Sequence, residues 1–232
     1  MTNATTPEHS PVRGASSDEW LELVDQVLLG LDHALNNRLG ALRAFAELLR
    51  DEHWRTTSAA TESVHKEVAR LEETTSVVRL LARPRQASET GLIVEEVMTD
   101  VVRIQSMLYD VRDIPIDFVP GPPLEPVWSE RFGLIRLLSI ILYKMRRSAR
   151  EADTVGAVRL SMESDEESVR ITLASSGPRG ESPISEYAAT LALSLGAEWR
   201  VAGRGLELRL PTLRAHRAGA PLRNSRVADS TT

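Results

Sequence analysis

No cysteine occurs in the sequence, which excludes a disulfide framework and any thiolate metal site. Aromatic residues are scarce, at 4% of the chain, so the core has to come from Leu, Val, Ile and Ala packed between helices. No apolar run approaches the roughly 20 residues that span a bilayer. The opening MTNATTPEHSPVRGASSDEW lacks the basic start and apolar stretch of a secretory signal. A basic cluster is missing too: 28 Lys and Arg against 33 Asp and Glu leave a net charge of -5, which argues against nucleic acid as the main partner. Composition therefore predicts a soluble, cytoplasmic protein with neither a membrane nor a nucleic acid partner. With 42% hydrophobic residues in 232, there is room for one large domain or two small ones.

What is present is organised around the run from Leu28 to Leu49, LLGLDHALNNRLGALRAFAELL. Leu21, Val24, Leu28, Leu31, Leu35, Leu42, Phe45 and Leu49 recur mostly at steps of three and four, the spacing of an amphipathic helix with a coiled-coil-like seam. With Leu28 at heptad position a, His33 falls at f and points into water. Asn37, four residues on, shares its face. An exposed imidazole followed by Asn at the fourth position fits a phosphoacceptor, although this segment alone favours a solvated surface histidine. Arg38 takes a d position where Leu is expected; either its stem snorkels outward or the register shifts through Leu39.

Residues 1–16 are polar and read as a disordered tail. Ser17, Asp18 and Glu19 suit a helix start. The first helix runs to about Arg50, DEHWRTT (51–57) is a turn, and a second helix follows from Ser58 to Ala82, ended by Pro84. The two form an antiparallel hairpin over residues 17–84. Val27, Ala34, Ala41 and Leu48 add a second apolar row, so one hairpin leaves apolar surface uncovered and pairing into a homodimeric four-helix bundle covers it.

From 85 to 212 the pattern changes. Arg85 to Thr90 is a linker, Leu92 to Leu108 a helix, and Ile114 to Phe118 a strand. Val127 and Trp128 make a short strand, and Ser129 caps a long helix to Glu151. Strands at Ala157 to Glu163 and Ser168 to Ala174 follow, then a helix from Ser185 to Leu195. Strands at Glu198 to Ala202 and Leu206 to Leu210, joined by a Gly203-Arg204-Gly205 turn, close the fold. Residues 213–232 read as a second disordered tail. The fold class is α+β: the helical hairpin, then an α/β sandwich with a mixed sheet.

A hairpin with His33-Ala-Leu-Asn-Asn-Arg-Leu, followed by an α/β layer ending LGAEWRVAGRGLELRLP, resembles a sensor histidine kinase: its dimerisation and phosphotransfer domain plus its ATP-binding domain. The resemblance covers about residues 19 to 211. It implies His33 as phosphoacceptor and Asn37 as the residue that orients water or contacts the receiver site. The departures lie on the nucleotide side. Ile140-Ile141-Leu142-Tyr143-Lys144-Met145 has no Asn where the family binds Mg²⁺, and Lys144, in that place, donates but cannot coordinate a cation. Ser175-Ser176-Gly177-Pro178-Arg179-Gly180 lacks the family's adenine-binding Asp, and Glu181-Ser-Pro-Ile-Ser is too short for a nucleotide lid. Ala34 replaces the carboxylate that assists the imidazole in attack on ATP.

This pattern resembles the histidine phosphotransferases that carry a degenerate ATPase-like domain. The resemblance implies relay of phosphoryl groups between response-regulator receiver domains, with no cofactor held by this chain and Mg²⁺ supplied by the receiver. Asn36, Arg38 and Arg43 are the expected partner-binding residues, and Lys144, Ser175 and Gly177 mark the degenerate nucleotide site. A sensor kinase is a further candidate partner. The alternatives are an inactive dimeric adaptor that binds response regulators, or a phosphatase-like regulator using Asn37. Lys144, Arg146, Arg147 and Arg150 form a basic group on the long helix, read either as an anion-binding remnant or as a solvated face. His65 is expected to be exposed, with His53 in the turn and His9 and His216 in the tails.

Overall fold

A computed structural model of the chain describes residues 18–48, 50, 58–82, 88–119, 121–152, 156–175, 184–203 and 205–219. Two long helices come first, α1 (Asp18–Leu48) and α2 (Ser58–Leu81). An ion pair at 3.2 Å joins Arg38 to Glu67, about equally far from the connecting segment on each helix, as in an antiparallel hairpin. Asp18 and Glu19 occupy the first turn of α1, where unpaired amide donors favour negative charge. Ser17, the expected turn at 51–57 and the expected tail at 1–16 lie outside the described residues.

The rest of the chain forms β1 (Glu89–Leu92), α3 (Val94–Ser106), a single 3-10 turn (Tyr109–Val111), β2 (Ile116–Val119), β3 (Val127–Glu130) and α4 (Arg131–Glu151). After them come β4 (Val158–Ser164), β5 (Ser168–Ser175), α5 (Glu186–Ser194), β6 (Glu198–Ala202), β7 (Gly205–Pro211) and α6 (Leu213–Arg217). The main sheet has the order β2-β4-β5-β7-β6. Only the β2–β4 pair is parallel, with α4 in the crossover between them. Alternation sets its two faces: Val158, Leu160 and Met162 point into the core while Arg159 and Glu163 point out. Gly203 turns the last hairpin with φ of +60°, a conformation that suits a residue without Cβ.

Three details differ from the sequence reading. The expected linker and helix start at 89–92 is instead β1, which pairs antiparallel with β3. The cap of α4 is Glu130 rather than Ser129. Its carboxylate accepts from the amides of Phe132 and Gly133, both at 2.7 Å, whereas Ser129 is buried in β3. Finally, the ordered chain continues past 212 into α6, where His216 stacks on Trp128 at 4.9 Å instead of lying in a tail.

The seam of α1 also differs. Leu21 and Leu28, expected inside, are 53% and 48% exposed. The buried stripe is Trp20, Leu23, Val27, Gly30 and Leu31. Packing explains the rotation: besides its hairpin partner α2, α1 lies on α4 and on the 3-10 turn, so its buried stripe has to face the α/β unit as well. Trp20 meets Phe132 edge-to-face, with ring centroids 5.9 Å apart, and Arg136 stacks over Trp20. So part of the second row, through Val27, covers the α/β unit, and the Leu21–Leu28 face is left on the surface.

Helix α4 is covered by the sheet on one side and by α1 and α3 on the other, and its side chains are buried almost all the way round from Phe132 to Ala149. Tyr143 belongs to this buried set and donates to the Asp110 carboxylate at 2.9 Å. Burial first, and then that carboxylate, push its phenol up to about 12. Since the unfolded value is about 10, the unfolded chain ionises first. This contribution to stability is complete below about pH 10 and is lost as the pH rises towards 12. Tyr143→Phe is expected to flatten that alkaline fall, read as the change in urea midpoint between about pH 8 and 11, and to cost about 1 kcal/mol at neutral pH for the lost hydrogen bond.

Candidate functional site

His33 is exposed on α1, on the side where α1 passes the α/β unit. The Asn37 amide nitrogen lies 3.1 Å from its Nε2. An amide NH₂ donates, so this contact is a hydrogen bond in the tautomer whose proton is on Nδ1 and whose Nε2 accepts. The helix delivers this pair directly, since residues four apart are surface neighbours. Tyr109 of the 3-10 turn meets the imidazole edge-on, with centroids 5.7 Å apart and planes at 65°. The sequence reading missed this neighbour, because nothing in the spacing of residues 33 and 109 announces that they meet.

The other expected site residues scatter. Asn36 and Arg43 are exposed on α1. Arg38 turns into the hairpin and binds Glu67, which also takes Arg70 at 2.6 Å. The hydrogen bond from Arg70 leads in holding the Glu67 carboxyl below its ordinary range; the Arg38 bond adds to it and burial opposes both. Ser175 ends β5 half-buried, and Gly177 lies outside the described residues. His65 is exposed as expected, and His53 and His9 lie outside the described residues.

Lys144 stands on α4 facing α1, and its Nζ meets Glu19 at 2.5 Å. The other Glu19 oxygen accepts from Ser185, the N-cap of α5, also at 2.5 Å. Arg147, one turn on, bonds Glu22 at 2.8 Å. Arg146 is buried: it donates to the carbonyls of Gln105 at 2.9 Å, Val111 at 2.7 Å and Ile114 at 2.8 Å. Arg150 donates to the Asp110 carbonyl. The basic group is thus no open anion site: Arg147 and Arg150 are exposed, as a solvated face requires, yet paired, and Arg146 is buried. Lys144 and Arg147 hold α1, while Arg146 and Arg150 hold the 3-10 turn. Among the described residues no group of three or more His, Asp or Glu could ligate a metal, and no helix is long and apolar enough to cross a membrane.

A groove of about 310 Å³ lies beside β6, lined by Arg170, Arg200, Arg209, Trp199 and Leu193 among others. Two of those guanidinium groups are already committed to the buried Glu207, Arg200 at 2.7 Å and Arg170 at 3.2 Å. None of the expected site residues lines this groove.

Neither a protein-family model nor a curated protein matches the sequence. Solved structures similar to the chain are histidine kinases or parts of them. The ATP-binding domain of PrrB from Mycobacterium tuberculosis is 18% identical over 54% of this chain and 98% of its own, with a TM-score of 0.45. Full-length ShkA in complex with AMPPNP is 17% identical over 81% of this chain, which spans 45% of that protein, at 0.42. The kinase ThkA in complex with the response regulator TrrA is 12% identical over 84% of this chain and 63% of its own, at 0.40. With TM-scores below 0.5, these likenesses carry no argument about what the chain does.

The hold on α1 combines apolar burial with partly exposed ion pairs, and the magnitudes rank them. Trp20→Ala is expected to cost about 3–5 kcal/mol, as for a large aromatic removed from a core. Lys144→Ala, which breaks a pair whose side chains keep 36% and 26% exposure, is expected to cost at most about 1 kcal/mol. Urea midpoints of the two variants check the order.

Proposed function

We propose that the chain is a histidine kinase-like histidine phosphotransferase that relays phosphoryl groups between receiver domains of response regulators without using ATP. The observation that carries this is the geometry of His33: an exposed imidazole on a hairpin helix, with its Nε2 3.1 Å from the Asn37 amide nitrogen. When a phosphorylated receiver docks, Asn37 yields Nε2, whose lone pair attacks the phosphorus in line. The P–N bond forms as the P–O bond to the aspartate breaks. The carboxylate leaves with the electron pair, and the Nδ1 proton passes to water or stays on the imidazolium. Transfer to a second receiver reverses these steps. The Mg²⁺ for this chemistry would be held by the receiver and would supply charge neutralisation of the phosphoryl oxygens; this chain would hold none.

The arrangement at Lys144 supports the absence of ATP from this cycle. Lys144, which stands in the place of the family's metal-binding Asn in the sequence, is engaged by Glu19 of α1 at 2.5 Å. The exposed Leu21, Leu28 and Leu39 of α1 with Val68 and Val78 of α2 support homodimerisation through the hairpin. Ala34, half-buried beside His33, favours a second reading, a dimeric adaptor or phosphatase-like regulator that binds receivers without carrying phosphate.

Incubation with a phosphorylated receiver domain separates the readings. Labelled phosphate is expected on the wild-type chain and absent from His33→Ala. If wild type takes no label and does not hasten loss of phosphate from the receiver, both chemical readings are overturned and the adaptor remains. Titration with ATP is expected to give no saturable binding in the micromolar range.

A further inference from the structure

The segment joining α3 to β2 is built more firmly than a surface connection requires. Below it, the buried Arg146 binds the carbonyls of Val111 and Ile114 in the segment and of Gln105 at the end of α3, Tyr143 binds the Asp110 side chain, and Arg150 binds the Asp110 carbonyl. Above it, α1 crosses at Gly30 so closely that a Cβ there would stand 1.7 Å from the Met107 carbonyl oxygen. The contact therefore depends on a residue without a side chain at that point of the helix. A fixed turn is clamped to a fixed helix one turn before His33.

This turn presents two exposed side chains with no part in the core. Tyr109, 56% exposed, sets its ring against the His33 imidazole. The Arg112 guanidinium lies over the Tyr109 ring, 4.2 Å from its centroid. Stacking of this kind orients a guanidinium by its face and leaves its N–H edge open to bind phosphate oxygens in a bidentate fork. In α1 itself, the residues around His33 supply no such cation: Arg38 is engaged by Glu67 within the hairpin.

We infer that Tyr109 and Arg112 complete the His33 site from the α/β unit, Tyr109 as the positioning residue that fixes the imidazole plane and Arg112 as the cation that meets the phosphoryl group at Nε2. The inference rests on His33 being the phosphoacceptor. It assigns the α/β unit a part in transfer that needs no nucleotide. As negative charge gathers on the phosphoryl oxygens between the aspartate and Nε2, the guanidinium stabilises it. Asn37, bonded to Nε2, and Tyr109, edge-on to the ring, keep the imidazole from turning away.

The test uses the full chain and two donors, a phosphorylated receiver domain and phosphoramidate, which phosphorylates histidine with no protein partner. Arg112→Ala is expected to slow labelling of His33 from both donors by about tenfold or more, as for loss of a charge-assisted phosphate contact. The rate at saturating receiver should fall, and not only the receiver concentration needed. Arg112→Lys should recover part of the rate, and guanidinium ion added to Arg112→Ala should recover part as well. Tyr109→Phe should stay near wild type while Tyr109→Ala slows. The urea midpoint should not move for Arg112→Ala, since the side chain is exposed. Labelling of Arg112→Ala within about twofold of wild type from both donors overturns the inference and leaves His33 as phosphoacceptor. A wild-type chain that takes label from neither donor overturns the proposed function, and this inference with it. A loss confined to the receiver donor also overturns it, by making Arg112 a docking residue.

Discussion

A guanidinium buried in the middle of a helix is tolerated only if its donors find acceptors, because stranding a charge away from water costs several kcal/mol. Arg146, 4% exposed, meets that condition by binding the carbonyls of Gln105, Val111 and Ile114, groups at the end of α3 and along the turn after it. Two of those carbonyls also accept a backbone amide, Gln105 from Leu108 and Val111 from Ile114, so the guanidinium ties together a turn where the chain leaves the helix. Burial pushes Arg146 below its ordinary pKa, and the carboxylates of Asp110 and Asp113 work against that push. The constraint runs both ways: the charge needs the turn in this shape, and the turn needs the charge. The setting of Tyr109, and hence of whatever lies against it, follows from this exchange.

From that anchor the architecture extends along one helix. Side chains at 144 and 147 point to α1, and those at 146 and 150 to the turn, because successive helix positions divide between two faces. Helix α4 thereby sets α1 against the α/β unit and sets the turn beside α1. Apolar burial of Trp20, Leu23, Val27 and Leu31 supplies most of the holding free energy, and the ion pairs supply direction. The hairpin and the sheet layer are joined through the same surface that carries the histidine.

Much of this was legible in the chain. Alternation placed β2 and β4 to β7 within a few residues, and the three-and-four spacing found α1 to α5, because periods of 2 and 3.6 are properties of single elements. Exposure of His33 and its pairing with Asn37 were equally local, four residues apart on one helix. The seam of α1 was misplaced because α1 has apolar residues on more than one face. A helix so built tells that it will be covered and not by what. Trp20 lay at the edge of the run and drew no notice, yet it packs on Phe132 more than a hundred positions away. Glu130 displaced Ser129 as the cap because β3 runs two residues beyond Trp128 and takes Ser129 into the strand.

The sequence by itself determined most of the elements, the class of fold and the exposed His33–Asn37 pair on α1, since each depends on residues within one or two helical turns. The tertiary structure alone decided what the basic row of α4 is for and which residue of the α/β unit faces His33. Both depend on long-range contacts between side chains, Lys144 with Glu19 and His33 with Tyr109, whose partners are fixed by packing and not by spacing. The exposed histidine with which the reading of the chain began is therefore not a residue of the hairpin alone. It sits at a junction that α4 builds from both sides.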